Sequence, residues 1–143
     1  MAAETLELAR RFVACKGWVW LPGMLAYLIR NGTEWRVRVL IVGADGLPAF
    51  FADEDDAYDH RGHFWMHEVR AQFVPDLSDA MTRAGLLEVV RRAWGDPCIV
   101  SWPAFRPSPG TAGVWMVYCA GRQFQGASEA AALLAALEAA PGV

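Results

Sequence analysis

An Asn31-Gly32 dipeptide between two apolar-rich segments limits the local fold more strongly than any other short signal in the chain. Both residues tolerate positive φ, which a type I′ turn requires at its two central positions. A strand is expected to begin near Met24, and apolar side chains at the odd positions from Trp35 to Ile41 indicate a half-buried second strand. Asp45-Gly46 marks a further turn, from which Leu47–Ala52 returns as a third strand. The sequence therefore predicts an antiparallel meander.

Three segments carry helical periodicity. The first extends from Thr5 to about Cys15 and ends at Gly17, with Glu7 placed to pair with Arg11 four residues later. The last is alanine-rich, is capped by Ser128 and extends to about Ala140. Its inward residues are expected to be Ala130, Leu133, Leu134 and Leu137.

The middle helix has the clearest pattern. Asp76 or Ser78 is the expected N-cap, and Gly95-Asp96-Pro97 ends the helix. Apolar residues recur at steps of four and three and predict one buried stripe. The stripe comprises Leu77, Met81, Ala84, Leu87, Val90 and Trp94.

The remaining segments complete an α+β pattern. Phe64 to Val74 weakly favours a strand, and further strands fit Cys98 to Trp102, Val114 to Cys119 and Arg122 to Gln125. The order α-βββ(β)-α-βββ-α predicts antiparallel sheet packed with about three helices.

A chain of 143 residues has the length of one compact domain. We therefore predict a single globular domain over 1–143. Within it, residues 53–63 form an acidic, histidine-containing loop, and residues 103–113 form a loop rich in proline and glycine.

Composition argues against nucleic acid and membrane as partners. The net charge is −3 and the pI is near 5.5, whereas sequence-independent phosphate binding needs clustered cations. The stretch from Leu77 to Ala140 shares the α-β-β-β-α order of double-stranded RNA-binding domains, but its last helix contains no basic residue. Pro22 and Gly23 interrupt the longest apolar stretch, Trp18 to Ile29, which is too short to span a bilayer.

Three cysteines without a CxxC pair, and an N-terminus without a secretory signal, predict a cytoplasmic location. Cys15, Cys98 and Cys119 all fall in apolar segments and are expected to be buried, unreactive residues. The chain contains no GxSxG, GxGxxG or P-loop motif. These absences favour a non-enzymatic protein.

All three histidines fall within eight residues, at His60, His63 and His67, next to carboxylates such as Asp59 and Glu68. Imidazole and carboxylate groups at this density suit a divalent metal, although the spacing is not a known metal signature. A metal-dependent enzyme that uses this cluster is therefore an alternative hypothesis, and a solvated acidic loop is the simpler interpretation.

Seven tryptophans are a large number for this length. Trp35, Trp94 and Trp115 lie in periodic segments and are assigned to the core. The other four lie in or beside irregular segments, where amphipathic rings often anchor a partner. The predicted binding surface comprises Trp18, Trp20, Trp65 and Trp102.

Several blocks of the chain resemble small bacteriophage- and prophage-encoded proteins of unknown function. The similar blocks are 7–18, 21–24, 74–79, 85–97, 124–130 and 134–140. The resemblance implies a mobile-element gene product that works in a bacterial host cell or a virion, and it assigns no catalytic residue.

These observations lead to one principal hypothesis and two alternatives. The principal hypothesis is a non-enzymatic accessory protein that binds a host or phage protein, as a host-takeover or counter-defence inhibitor would. The alternatives are the metal-dependent enzyme and a small-ligand binder, in which Trp18 and Trp20 with Arg36 or Arg38 line a nucleotide pocket. The sequence leaves the oligomeric state open.

Overall fold

The computed structural model describes residues 1–30, 33–42, 48–51, 64–65, 73–104 and 113–142. Within these ranges the chain forms three helices and eight strands. In chain order they are α1 (Ala3–Ala14), β1 (Leu25–Arg30), β2 (Thr33–Val42), β3 (Pro48–Phe51), β4 (Phe64–Trp65), β5 (Phe73–Pro75), α2 (Ala80–Trp94), β6 (Val100–Pro103), β7 (Trp115–Cys119), β8 (Arg122–Gly126) and α3 (Glu129–Glu138). The predicted α+β class is confirmed, and the order of elements follows the predicted one.

The chain divides into two compact units. One contains Met1–Trp18 with Leu86–Val143, and the other contains Val19–Gly85. The single-domain organisation stays a prediction. The loop predicted at 53–63 lies outside the described residues, as does most of the loop predicted at 103–113.

The unit Val19–Gly85 contains a five-stranded antiparallel sheet in the order β4-β3-β2-β1-β5. Arg30 pairs with Thr33, which leaves only Asn31 and Gly32 between β1 and β2. A two-residue connection is what the hairpin prediction requires, and β3 then returns along β2 as the meander predicts.

The N-cap of α2 differs from the predicted one. Asp79 Oδ2 accepts hydrogen bonds from the Thr82 backbone N at 2.8 Å and from Thr82 Oγ1 at 2.9 Å. Asp76 instead stabilises the preceding turn, because its Oδ1 accepts a bond from the Ser78 backbone N at 3.0 Å. The assignment of the cap to Asp76 or Ser78 was therefore wrong by at least one residue. Asp76, Ser78 and Asp79 are all residues that can cap a helix, so the sequence alone does not show at which of them the helix begins.

The buried face of α2 also differs from the predicted stripe. Leu77 and Val90 of that stripe are buried as predicted, but Met81 is 59% exposed and Ala84 is exposed. The fully or largely buried residues of the helix are Thr82, Leu86, Val89, Val90 and Ala93. The cause is a polar anchor, since the Leu25 backbone N donates to Thr82 Oγ1 at 2.8 Å and thereby turns Thr82 inward.

The end of α2 is confirmed. Gly95 has a φ of +64°, which favours glycine, and its N donates to Arg92 O at 3.2 Å. The Asp96 N donates to Arg91 O at 3.0 Å, and the two bonds together form a Schellman cap.

The unit Met1–Trp18 with Leu86–Val143 contains a three-stranded antiparallel sheet in the order β6-β7-β8, against which α3 packs. Ser128 caps α3, because its Oγ accepts from the Ala131 N at 3.1 Å, and all four predicted inward residues of α3 are buried. In α1, Arg11 does not use Glu7 as its partner. Its Nε and Nη2 donate to the two carboxylate oxygens of Glu138 on α3, at 3.0 Å and 2.8 Å.

Candidate binding surface

One face of the β6-β7-β8 sheet is occupied by α3. Val117 and Cys119 of β7 are fully buried on this face, and Ser101 Oγ donates to Glu129 Oε1 at 2.7 Å. Gly126 at the end of β8 approaches α3 so closely that a Cβ there would collide with the backbone N of Ala132. These contacts place the side chains at the middle of this face beneath α3, whereas Pro103 and Arg122 at the strand ends are exposed.

The opposite face of the same sheet carries the alternate side chains. Val100 pairs with Tyr118, and Trp102 pairs with Met116, so that these four residues point to one side. Gln123 and Gln125 of β8 continue the same two rows, opposite Tyr118 and Met116. Val114, one residue before β7, has the same parity, because the Ala104 N donates to Val114 O and extends the ladder.

We call these residues the outer sheet face. It comprises Val100, Trp102, Val114, Met116, Tyr118, Gln123 and Gln125.

The outer sheet face is uncharged, and most of its residues are exposed, although Met116 at its centre is only 9% exposed and Trp102 is half-buried. Val100 is 50% exposed, Tyr118 47% and Val114 38%. They are three of the five large hydrophobic residues that are exposed in the described part of the chain, the other two being Val19 and Met81. Contiguous exposed apolar residues of this kind are typical of interaction surfaces.

Sequence reasoning identified Trp102 on this face and missed the others. In β7, Trp115-Met116-Val117-Tyr118-Cys119 is apolar at every position, so that it contains no alternation to separate an inner from an outer face. The signal lies in β8, where Gln123 and Gln125 flank Phe124. The alternation in β8 shows which of its side chains face outward. The pairing of β8 with β7, and of β7 with β6, then identifies the outward side chains of the other two strands.

The four tryptophans proposed as a binding surface have different surroundings. Trp102 is half-buried on the outer sheet face. Trp18 is half-buried, with its ring centroid 6.0 Å from that of Phe12. Trp20 is only 5% exposed, which leaves it little surface to offer a partner. The backbone of Trp65 lies in β4, and its side chain is outside the described residues.

The histidine cluster His60, His63 and His67 lies outside the described residues, and the metal site stays a prediction. In the part of the chain that the structure describes, no group of three or more metal-binding side chains occurs.

The two arginines of the hypothetical nucleotide pocket are engaged by acidic side chains. Arg36 Nε lies 3.5 Å from Asp76 Oδ2, and its guanidinium lies 5.0 Å from the centroid of the Tyr27 ring. Arg38 Nη1 donates to Gly23 O at 2.8 Å and lies 3.4 Å from Asp79 Oδ2. The carboxylates offset the positive charge that a nucleotide phosphate would need, and the nucleotide hypothesis stays a prediction.

The cysteines differ in accessibility. Cys119 is fully buried, as predicted, and Cys15 is half-buried. Burial raises the pKa of the Cys119 thiol to about 11, and the nearby Asp96 adds to this effect. Cys98 is exposed, so its assignment to the core was wrong. The reason is local: Cys98 directly follows the helix-ending turn, and its N donates to Asp96 Oδ1 at 2.8 Å before β6 begins.

None of the described helices has the length and apolar character needed to cross a bilayer. No protein-family model, curated protein or solved structure matches the chain at a significant level.

Proposed function

We propose that this chain is a non-enzymatic, phage-type accessory protein that binds another protein through the outer sheet face. The observation that carries the proposal is the grouping of Val100, Val114 and Tyr118, which are exposed together on one face of a sheet whose other face is filled by α3. Trp102 and Tyr118 add aromatic rings of the kind that dominate binding free energy at interfaces. The resemblance to phage-encoded proteins indicates a host or phage protein as the partner.

The residues of the outer sheet face indicate what kind of protein surface would bind to it. Its seven residues carry no formal charge, so that apolar burial and the hydrogen bonds of Gln123, Gln125 and the Tyr118 hydroxyl must supply specificity. A partner surface that is apolar at its centre and polar but uncharged at its rim fits this pattern.

The proposal is tested with a tagged protein and a lysate of a bacterial host. The wild type, Tyr118→Ala and Val100→Glu are compared, and the recovered partner is then purified and titrated. Tyr118→Ala is expected to weaken binding about tenfold, because truncation of an aromatic hot-spot residue costs on the order of 1.4 kcal/mol or more. Val100→Glu is expected to abolish recovery, because it buries an unpaired charge in the interface.

Val19→Glu is the matched control. It makes the same chemical change at an exposed valine of the other unit, which is 38% exposed. Recovery with this variant should equal that of the wild type. The proposal would be contradicted if Val100→Glu and Val19→Glu recovered the partner equally well. It would also be contradicted if the wild type recovered no stoichiometric protein. Thermal unfolding of each variant verifies that the fold is intact.

Salt provides a second test. Because the face is uncharged, the dissociation constant should change less than about threefold between low salt and about 0.5 M salt, where charged interfaces are strongly screened. A steep loss of affinity with salt would place the interface elsewhere on the molecule.

A further inference from the structure

The unit Met1–Trp18 with Leu86–Val143 contains a cavity of about 490 Å³, a volume within the range of small-molecule sites. It lies where α1, α2 and α3 end. Its lining includes Arg11, Cys15, Lys16, Ala93, Leu137 and Glu138. The outer sheet face contributes no residue to this lining, so the cavity is a separate feature.

The cavity wall is fixed by close packing and by one ion pair. A Cβ at Gly17 would lie 2.9 Å from Ala93 Cβ and 3.1 Å from Leu137 Cδ1, so that the wall accepts only glycine there without movement. Arg11 is held by its two hydrogen bonds to Glu138, at 3.0 Å and 2.8 Å. A guanidinium held in this way needs little reorganisation to receive a further acceptor on its Nη1.

The charges of the wall do not balance. Arg11 and Glu138 compensate each other, whereas no described carboxylate lies within ion-pair distance of Lys16. The lining side chains therefore carry one net positive charge. α1, α2 and α3 also end at this region, and the carbonyl dipoles of their C-termini oppose any anion, a multiply charged one most strongly.

We propose that this cavity binds a small monoanionic carboxylate with an apolar body. The carboxylate accepts from Lys16 Nζ and Arg11 Nη1, and the apolar body lies against Ala14 and Pro141, which are exposed apolar residues of the lining. A single negative charge matches the single unpaired cation, and the fork of a guanidinium suits the planar carboxylate group.

Cys15 lines the cavity with an uncharged thiol. Its thiol donates to Arg11 O at 3.2 Å, and burial raises its pKa, with Glu138 acting in the same direction and Arg11 against it. The thiol is therefore protonated at neutral pH and does not compete with a carboxylate for Lys16.

The test uses four probes on the full chain at constant ionic strength: sodium hexanoate, hexylammonium chloride, hexanol and inorganic phosphate. Hexanoate is expected to bind with a dissociation constant of about 1 mM or tighter, as judged from the ligand efficiency of small molecules, and to shift the amide NMR signals of Lys16 and Gly17. Hexylammonium and phosphate should leave these signals unchanged. Hexanol should bind at least about fivefold more weakly than hexanoate, because it lacks the charge.

Three variants locate the site. Lys16→Gln should weaken hexanoate binding about five- to tenfold, which reflects the loss of a charge-assisted hydrogen bond. Arg10→Gln is the matched control, because it removes an exposed cation beside Arg11 that does not line the cavity, and it should bind as the wild type does. Ala14→Trp places a ring in the cavity mouth from an exposed position and should abolish binding.

Four results would overturn the proposal. They are no binding of hexanoate, equal affinity for hexanoate and hexanol, equal loss in Lys16→Gln and Arg10→Gln, and preferential binding of phosphate. Tyr118→Ala should leave hexanoate binding intact, so that this site and the protein-binding face fail or succeed independently.

Discussion

Asp79 shows how one side chain of this chain serves several elements at once. Its Oδ2 accepts from the backbone N and the hydroxyl of Thr82 at the start of α2, and it also lies 3.4 Å from Arg38 Nη1 of β2. Burial by itself would raise the pKa of Asp79, but the hydrogen bonds from Thr82 and the charge of Arg38 outweigh it and lower the pKa below 3.8. The ionised form is thus the one that the native state prefers.

Substitution of Asp79 should therefore be costly in a pH-dependent way. Asp79→Ala is expected to lower the free energy of unfolding by about 1–2 kcal/mol at pH 7, because it removes an N-cap. A carboxyl group whose pKa is depressed in the native state contributes its stability above its unfolded pKa, and this is lost as the pH falls through the native value. The advantage of the wild type over Asp79→Asn should accordingly shrink below about pH 4.

Urea unfolding followed by circular dichroism at pH 7 and pH 3 measures both effects. Glu7→Ala is the control, since Glu7 is an exposed carboxylate of α1 without a role in capping. Its effect should stay within about 0.5 kcal/mol. A loss for Glu7→Ala equal to that for Asp79→Ala would refute the capping argument.

Gly17 is a second residue whose role follows from distances. Gly17→Ala is expected to lower the free energy of unfolding by about 1–3 kcal/mol, because the new methyl group meets Ala93 Cβ at 2.9 Å and neither group can rotate away. Gly142→Ala is the matched control, with no atom within 4 Å of the new Cβ. Chemical denaturation of both variants provides the comparison, and equal stability would show that the wall at Gly17 yields freely.

At the scale of elements, the orientation of α2 is the point at which prediction and structure differ most. The apolar stripe predicted from spacing included Met81 and Leu87, whereas the structure buries Leu86 and Val89 fully and leaves Met81 59% exposed. Two truncations to alanine distinguish these faces. Leu86→Ala is expected to lower the free energy of unfolding by about 2–5 kcal/mol, and Met81→Ala by less than about 1 kcal/mol.

Thermal or urea unfolding of the two α2 variants measures the difference. If Met81→Ala were the more destabilising of the two, the predicted stripe rather than the observed face would be the buried one.

The elements that local chemistry specifies were predictable. The hairpin at Asn31-Gly32, the end of α2 at Gly95 and the Ser128 cap all follow from residues that favour one backbone geometry. Tertiary contacts decided the rest. Thr82 is buried where the Leu25 backbone N donates to its hydroxyl, and Arg11 pairs with Glu138, which lies far away in the sequence.

The candidate surface was predictable only in part, for the same reason. Trp102 was identified because it borders an irregular segment, but β7 is apolar throughout, and the pairing of strands decides which of its side chains are exposed. The exposure of Tyr118 and Val100 could therefore be recognised only once the pairing of the strands was known.

At the scale of the whole molecule, the buried thiol of Cys119 is expected to make stability depend on pH in the alkaline range. The pKa of Cys119 is raised by burial from 9.0 to about 11. A thiol whose pKa is higher in the native than in the unfolded state contributes stability that is complete below the unfolded value and is lost as the pH rises. Between pH 8 and pH 11 the loss from Cys119 should be about 2 kcal/mol.

The measurement is urea unfolding of the wild type and Cys119→Ala at both pH values, since the difference between the two proteins isolates Cys119 from other titrating groups. Cys119→Ala should lose less stability than the wild type over this range. Parallel losses in the two proteins would contradict the assignment. Reaction with an aromatic disulfide reagent offers a further check, because Cys98 should react first and Cys119 only on unfolding.

Prolines end two edge strands, β5 at Pro75 and β6 at Pro103. The next residues, Asp76 and Ala104, donate their N–H groups inward, to Leu25 O at 2.8 Å and Val114 O at 2.6 Å. In an antiparallel ladder the preceding residue then directs its nitrogen outward. On the β5 edge and on the β6 edge, the position at which an added strand would need an outward N–H group is therefore occupied by a proline, which has none. The β5 edge is in addition buried at all three of its residues, whereas β8, the other edge of the second sheet, contains no proline. Pro103 therefore makes the β6 edge a poor template for an added strand, and a partner there is better suited to cover the sheet than to extend it.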